Sequence, residues 1–266
     1  MAAVAKFMWY KHANAQVALK SRFRVGLTPI CSESWIIFML FIIDFDGTVA
    51  PTDTVDALLE RFADPEWRRI EEQWVSGEIN SQQCMAAQIA LVSGESTELL
   101  EFLQSVTIDP SFVDFVRYVW PFADLAVVSD GLDYPIRYAL RQVPFPIPIY
   151  ANGLAFRRGG LDIWFPHGDS GCSVGSGLCK CAVARSVNAG RGLSTVLIGD
   201  GRSDLCLAQS ADHVFAKGAL RSYCEAESII HTPFETFDDV LTVIRRWNAR
   251  DHEGVPRESE CPPAPD

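Results

Sequence analysis

Several things are missing from this chain, and each absence narrows its function. No segment approaches the roughly 20 apolar residues that a bilayer-spanning helix needs; the run Trp35 to Ile43 is too short and leads directly into Asp44. A basic surplus is also absent. Asp and Glu number 34 against 23 Lys and Arg, a net charge of −11, so the chain has no basic face with which to displace the counterions of a nucleic acid. The eight cysteines, Cys31, Cys84, Cys172, Cys179, Cys181, Cys206, Cys224 and Cys261, follow no regular spacing. With no convincing secretory signal, the expectation is reduced thiols in a cytoplasmic protein rather than a disulfide framework. There is no internal repeat. Residues 1–38 lack acids: Glu33 stands alone against Lys6, Lys11, Lys20, Arg22 and Arg24. That stretch fits an upstream start with Met39 as the natural one, a loosely packed extension, or an organelle-type presequence. In each case the folded domain is expected to begin near Leu40.

What is present is a sizeable apolar fraction, 48% over 266 residues, enough for one full domain with a smaller one attached. Short apolar runs end in polar residues at three places. Leu40 to Ile43 ends at Asp44-Phe45-Asp46-Gly47-Thr48, Leu125 to Val128 at Ser129-Asp130-Gly131, and Thr195 to Ile198 at Gly199-Asp200-Gly201. Such runs read as buried parallel strands. Further strands are expected at Ile147–Tyr150 and His213–Ala216, a hairpin over 153–165, and helices near 135–142, 180–189, 204–210 and 237–248. Val55 to Val119 shows no strong strand pattern and reads as helical, with Asp64-Pro65-Glu66 as a helix start. The tail from Asp251 is rich in Pro and charge and reads as disordered.

Strands alternating with helices imply a doubly wound α/β sheet, and ligands bind such sheets beyond the carboxyl ends of the strands. Asp44, Ser129 and Asp200 each sit at such an end, so they are expected to converge. Two carboxylates one residue apart can divide the work of phosphoryl transfer, one attacking phosphorus and the other handling the proton of the leaving oxygen. An acidic protein that handles an anionic phosphate needs a cation in the site, so a metal is expected.

Asp44-x-Asp46-Gly47-Thr48, Ser129-Asp130, Lys180 and Gly199-Asp200-Gly201-x-Ser203-Asp204 stand in the order and approximate spacing of the four motifs of the haloacid dehalogenase-like phosphatase superfamily. The resemblance covers residues 40 to about 245. It implies that Asp44 is the nucleophile, forming an aspartyl-phosphate, and Asp46 the general acid/base, a residue that dehalogenases and P-type ATPases of the superfamily lack. Ser129 would hold a phosphoryl oxygen, with Thr48, Asp130 and Gly131 beside it as phosphate-binding residues of the supporting loops, and Lys180 would neutralise charge. Asp44, the backbone carbonyl of Asp46 and Asp200 would hold Mg²⁺, with Asp204 standing behind them. By residue type alone, Asp130, Asp133 and Asp212 read as caps or solvated carboxylates.

A helical insertion between the first and second motifs, residues 54–119, resembles the C1 cap of the superfamily, which closes over the core and reads the leaving group. Asp53-Thr54-Val55-Asp56, Glu66-Trp67, Gly77-Glu78-Ile79, Gln88 to Leu91, Phe165-Pro166-His167 and Cys179-Lys180-Cys181 look closest to the phosphoserine phosphatase-like branch and, within it, to the MtnX-like subgroup. Those enzymes are 2-hydroxy-3-keto-5-methylthiopentenyl-1-phosphate phosphatases of methionine salvage. Phosphoserine phosphatases place a Glu where Asp53 stands and an Arg near Gln88. Asp53 and Gln88 are thus the expected leaving-group contacts, and an amide cannot make the bidentate pair with a carboxylate that Arg can. Phosphoserine, phosphocholine and phosphoethanolamine remain alternatives, the last two served by Asp53 with Trp67 or Trp74. A phosphotransferase on the same chemistry is a further alternative. His167, Cys172, Cys179 and Cys181 raise the prospect of zinc, at a spacing that fits no standard finger. The expected partner is a small-molecule phosphate ester, with no nucleic acid or membrane; oligomeric state is open, a homodimer included.

Overall fold

A computed structural model of the chain describes residues 39–168 and 176–253. The expectations for residues 1–38, for Cys172 and for the tail beyond 253 lie outside them. Residues 39–240 form one compact unit, and Leu241–Glu253, the rest of the last helix, belong to a second.

The first strand, β1 (Met39–Ile43), is followed by helices α1 (Thr54–Phe62), α2 (Trp67–Val75), α3 (Ser81–Ala90), α4 (Ser96–Gln104) and α5 (Pro110–Val119). Next come β2 (Asp124–Leu132), α6 (Asp133–Ala139), β3 (Ile149–Arg157), β4 (Gly160–Trp164), α7 (Lys180–Asn188) and β5 (Ser194–Gly199). The chain continues through α8 (Leu205–Ala208), β6 (His213–Ala216), α9 (Gly218–Ala226), β7 (Thr232–Pro233) and α10 (Phe237–Glu253). The seven described strands form one sheet in the order β4-β3-β2-β1-β5-β6-β7. Every pairing is parallel except the β3–β4 hairpin. This is the expected doubly wound sheet.

β1 lies at the centre, with Leu40 to Ile43 fully buried. A strand covered on both faces must be apolar throughout, and its alternating side chains divide between two layers. Leu40 and Ile42 join Ala126, Val128, Leu197, Val183 and Leu220 on one face. On the other, the Phe41 ring meets Phe115 edge-on, centroids 5.5 Å apart, and Phe115 leans on Phe237 at 5.2 Å. Helix α5 therefore lies on the sheet, although the expected cap range of 54–119 takes it in. Helices α1 to α4 build a separate cluster, with Leu58, Leu59, Trp67, Ile89 and Leu99 packed against Leu132 at the end of β2 and Leu154 and Leu161 of the β3–β4 hairpin.

Local caps explain where these helices begin. Asp53 caps α1 by accepting from the backbone N–H groups of Val55 and Asp56, and Asn80 with Gln83 forms a reciprocal capping box on α3, arrangements that satisfy otherwise orphaned donors. Asp109 caps α5 with Pro110 at the first helical position. The Asp109 backbone N–H also donates to the Val49 carbonyl at 2.8 Å. The expected start at Asp64-Pro65-Glu66 falls in a turn one step early: Asp64 accepts from the Glu66 N–H at 3.0 Å, and α2 begins at Trp67. Two other readings change. The expected strand at 147–150 and the first arm of the hairpin are one continuous strand, β3, and helix α9, not anticipated, comes after β6.

Candidate active site

The register of the three central strands brings the motifs together. Ile43 pairs with Val127 on one side and Ile198 on the other, so Asp44, Ser129 and Asp200 emerge within one residue of a common level at the carboxyl edge. The Asp44 backbone N–H still donates to the Ile198 carbonyl at 2.9 Å, which fixes the first carboxylate as the sheet ends. Lys180 reaches the same point from the first turn of α7. Its fully buried ammonium lies 2.8 Å from Asp44 Oδ1 and 2.6 Å from Asp204 Oδ1.

Asp204 is committed on both oxygens, since Oδ2 accepts from the backbone N–H groups of Asp200 and Gly201 at 3.2 and 3.1 Å. Thr48 donates its hydroxyl to Asp200 Oδ1 at 2.8 Å. It is buried behind the site, so it braces Asp200 and does not line the cavity, contrary to the expected phosphate contact. Gly47 makes that approach possible: its φ of +71° suits glycine, and a Cβ there would collide with the Asp200 carboxylate.

Asp46 points to a different set of partners. Its Oδ1 accepts from the Thr54 N–H at 2.9 Å and its Oδ2 from the Ser129 hydroxyl at 3.4 Å, while Ser129 Oγ accepts from the Gly131 N–H at 2.9 Å. Burial, reinforced by the charge of Asp53 and opposed by the hydrogen bonds from Thr54 and Ser129, pushes Asp46 up to about 7. A carboxyl in that range can hold or release a proton near neutrality. Gly131 is required here as well, because a Cβ would overlap Asp46 Oδ2. Gly131→Ala is expected to displace the Asp46 carboxyl and lower kcat by about 100-fold with little change in the melting temperature, since misplacing a catalytic group by about 1 Å costs that much. Steady-state kinetics beside a thermal melt check it; unchanged kcat would show that Asp46 needs no such clearance.

Three carboxylates, Asp44, Asp200 and Asp204, place oxygens within 4.8 Å of one another, with one ammonium among them. Burial, helped by the charges of Asp204 and Asp200 and offset only in part by Lys180, pushes Asp44 well above the ordinary carboxylate range. Burial likewise raises Asp200, against the hydrogen bond from Thr48. Lys180 moves the other way from a merely buried amine: burial would lower it, but Asp204 and Asp44 together hold it above its ordinary value. The ammonium therefore stays charged, and it faces more carboxyls than it can balance, so a further cation would let them ionise together. An oxygen-only, over-negative donor set fits a hard divalent cation. Since Asp204 is already engaged, Asp44 and Asp200 are the side chains placed to hold it.

Above these groups lies a cavity of about 280 Å³, lined by Asp44, Asp46, Ser129, Asp130, Gly131 and Asp200 from the core and by residues of α1 to α3 from above. Both leaving-group candidates reach it. Asp53 lines the wall while capping α1, and the Gln88 amide is engaged, donating to Glu71 at 2.8 Å and to the Trp67 carbonyl at 3.4 Å. Asp130 is not a solvated carboxylate. It is half-buried, accepting from Leu178 N–H at 2.8 Å, from Asn152 at 3.1 Å and from the Ser81 hydroxyl on α3 at 3.2 Å. Asn152, Glu71 and Arg202, whose guanidinium stacks over Trp74 at 4.9 Å, had no motif to announce them. Their parts come from partners far off in sequence.

The model of the haloacid dehalogenase-like hydrolase family matches residues 41–209. A relative from Exiguobacterium sp. is 33% identical over 211 residues, covering 78% of this chain and 97% of its own, and one from Geobacillus kaustophilus is 31% identical over 212, covering 78% and 96%. Both are named 2-hydroxy-3-keto-5-methylthiopentenyl-1-phosphate phosphatase. The fold is similar to a phosphoserine phosphatase solved as a phospho-aspartyl intermediate analogue (TM-score 0.59, 18% identity, covering 77% of this chain and 97% of that one). A probable phosphoserine phosphatase from Vibrio cholerae is also similar (TM-score 0.61, 16% identity, covering 83% and 68%). With its motifs gathered at one sheet edge and its length matched by such relatives, the chain belongs to the haloacid dehalogenase-like hydrolase family, among its phosphatases.

Proposed function

We propose that the chain is a Mg²⁺-dependent phosphomonoesterase of the cytoplasm whose substrate is 2-hydroxy-3-keto-5-methylthiopentenyl-1-phosphate, in methionine salvage. The observation that carries the chemistry is the division of labour between the two carboxylates: Asp44 is held against Lys180, while Asp46 is held apart and raised to about 7. Asp44 attacks phosphorus to give an aspartyl-phosphate as Asp46, protonated, delivers its proton to the leaving oxygen. Asp46, now a carboxylate, takes a proton from the water that attacks the acyl-phosphate, and Asp44 is released. Lys180 and the Ser129 hydroxyl stabilise the charge on the transferring group. Mg²⁺, held by Asp44, Asp200 and the Asp46 carbonyl, would supply further neutralisation of that charge when bound.

The cavity's far wall supports the substrate reading. Val55, Trp74, Cys84 and Met85 give it apolar and sulfur-rich surface, suited to a thioether tail. The Gln88 amide, already donating to Glu71, is not available to a substrate carboxylate, and Asp53, Asp56 and Glu71 would repel one. Those same acids beside Trp74 favour a second reading, a cationic leaving group such as phosphoethanolamine or phosphocholine.

A panel of phosphomonoesters separates these readings: the methylthiopentenyl phosphate, phosphoserine, phosphocholine, phosphoethanolamine and sugar phosphates, each with and without Mg²⁺. The expected result is turnover abolished by chelation and restored by Mg²⁺, with the methylthiopentenyl phosphate exceeding phosphoserine by at least about tenfold in kcat/KM, as a mispaired buried charge would impose. Phosphoserine as best substrate, or turnover indifferent to Mg²⁺, would sink the proposal; a choline or ethanolamine ester in first place selects the second reading.

A further inference from the structure

We propose that Cys179, Cys181 and Cys206 form a binding site for a soft, thiophilic metal cation of the Zn²⁺ class, separate from the carboxylate site. Their three sulfurs lie within 4.8 Å of one another, although Cys206 is far along the chain from the other two. In a tetrahedral thiolate site with Zn–S near 2.3 Å, sulfurs stand about 3.8 Å apart. The observed cluster therefore needs shifts of under about 1 Å, within the reach of small side-chain rotations.

A second observation points the same way. Cys179 is the N-cap of α7, a nine-residue helix, and its Sγ accepts the Ala182 backbone N–H at 3.4 Å. The positive end of a helix favours negative charge on sulfur, and the thiolate is the form that ligates. Cys179 is buried, while Cys181 and Cys206 are half-buried, which leaves an approach for the ion. Each thiol that coordinates gives its proton to solvent. Soft sulfur ligands select against Mg²⁺, which takes oxygen, so the two sites do not compete for one ion.

The position of the cluster gives it a consequence. Cys179 and Cys181 flank Lys180, and Cys206 lies two residues beyond Asp204. A cation bound by all three would pin the first turn of α7 to α8, the two segments joined by the 2.6 Å Lys180–Asp204 contact. His167, which the sequence grouped with these cysteines, packs its ring on Tyr150 at 5.4 Å. Among the described residues the third sulfur comes from Cys206.

The test uses the full chain, reduced and stripped of metal, titrated with Co²⁺ in excess Mg²⁺ and then with Zn²⁺. A thiolate-to-cobalt charge-transfer band is expected to saturate at one equivalent and vanish when Zn²⁺ displaces the cobalt. It should persist in Cys224→Ser and Asp44→Asn, whereas Cys181→Ser and Cys206→Ser each weaken the affinity by at least about tenfold. Zn²⁺ should also slow alkylation of Cys181 and Cys206 in the unaltered protein, read residue by residue by mass spectrometry, a measurement that needs no variant to fold. Absence of the band, a band that survives Cys206→Ser undiminished, or alkylation rates indifferent to Zn²⁺ would overturn the site.

Discussion

Asp44→Asn is expected to lower phosphate release by at least about 10⁴-fold, the scale on which removal of a covalent nucleophile acts. The amide matches the carboxylate in shape, so the loss is chemical. The amide oxygen is a poor nucleophile toward phosphorus, and no aspartyl-phosphate forms. A paired measurement separates this from a general disturbance of the site. Asp46→Asn keeps the nucleophile but removes the proton donor, so its deficit should shrink on an aryl phosphate, whose leaving oxygen needs no proton. Asp44→Asn should gain nothing from that change of substrate. If Asp44→Asn retained Mg²⁺-dependent turnover within tenfold of the parent, another group would have to be the nucleophile and the division of labour between the two carboxylates would be wrong.

Lys180→Met should cost stability as well as activity. The ammonium is fully buried with Asp44 and Asp204 at 2.8 and 2.6 Å. Removing one partner of a buried ion pair strands the others, at a cost of about 3–5 kcal/mol, which corresponds to roughly 6–20 °C in melting temperature for a protein of this size. Without the ammonium, the Asp44 carboxyl should rise further. A carboxyl raised in the folded state binds more protons folded than unfolded, so stability falls as pH climbs from the ordinary carboxylate range to the raised value. The deficit of Lys180→Met should therefore be small in acid and grow toward neutrality, and added Mg²⁺ should recover part of it. Thermal melts across pH, with and without Mg²⁺, check this; a shift below 2 °C at neutral pH would show that Lys180 does not balance these charges.

The site was legible where chemistry coincides with a local pattern. Asp44, Ser129 and Asp200 could be placed because each comes directly after an apolar run, and buried parallel strands deliver the residues at their carboxyl ends to one edge. Lys180 was legible only by its spacing from the other three, since a lysine at a helix start is ordinary. The features that escaped depend on a partner distant in sequence. The engagement of Gln88 with Glu71, the support of Asp130 by Asn152, and the meeting of Cys206 with Cys179 and Cys181 all join residues 17 or more positions apart. Helix α5 shows the limit of periodicity. The spacing of Phe112 and Phe115 marks one buried face but does not say what covers it, and that cover is Phe41 and Phe237.

The hydrogen bond from Asp109 to Val49 has an evolutionary consequence. The chain leaves the sheet and returns to it at one point, 2.8 Å apart, so residues 50–108 hang from the core by a single adjacent pair of crossings. Loop-closure entropy grows only with the logarithm of length, and a segment whose ends already touch can be lengthened, shortened or exchanged without moving β1 or β2. Asp44 and Asp46, the proposed nucleophile and acid, stand before that junction; Trp74, Met85 and Gln88, which line the cavity, stand inside it. New substrate ranges can thus arise by exchange within one cassette, provided the Thr54 N–H that holds Asp46 is kept.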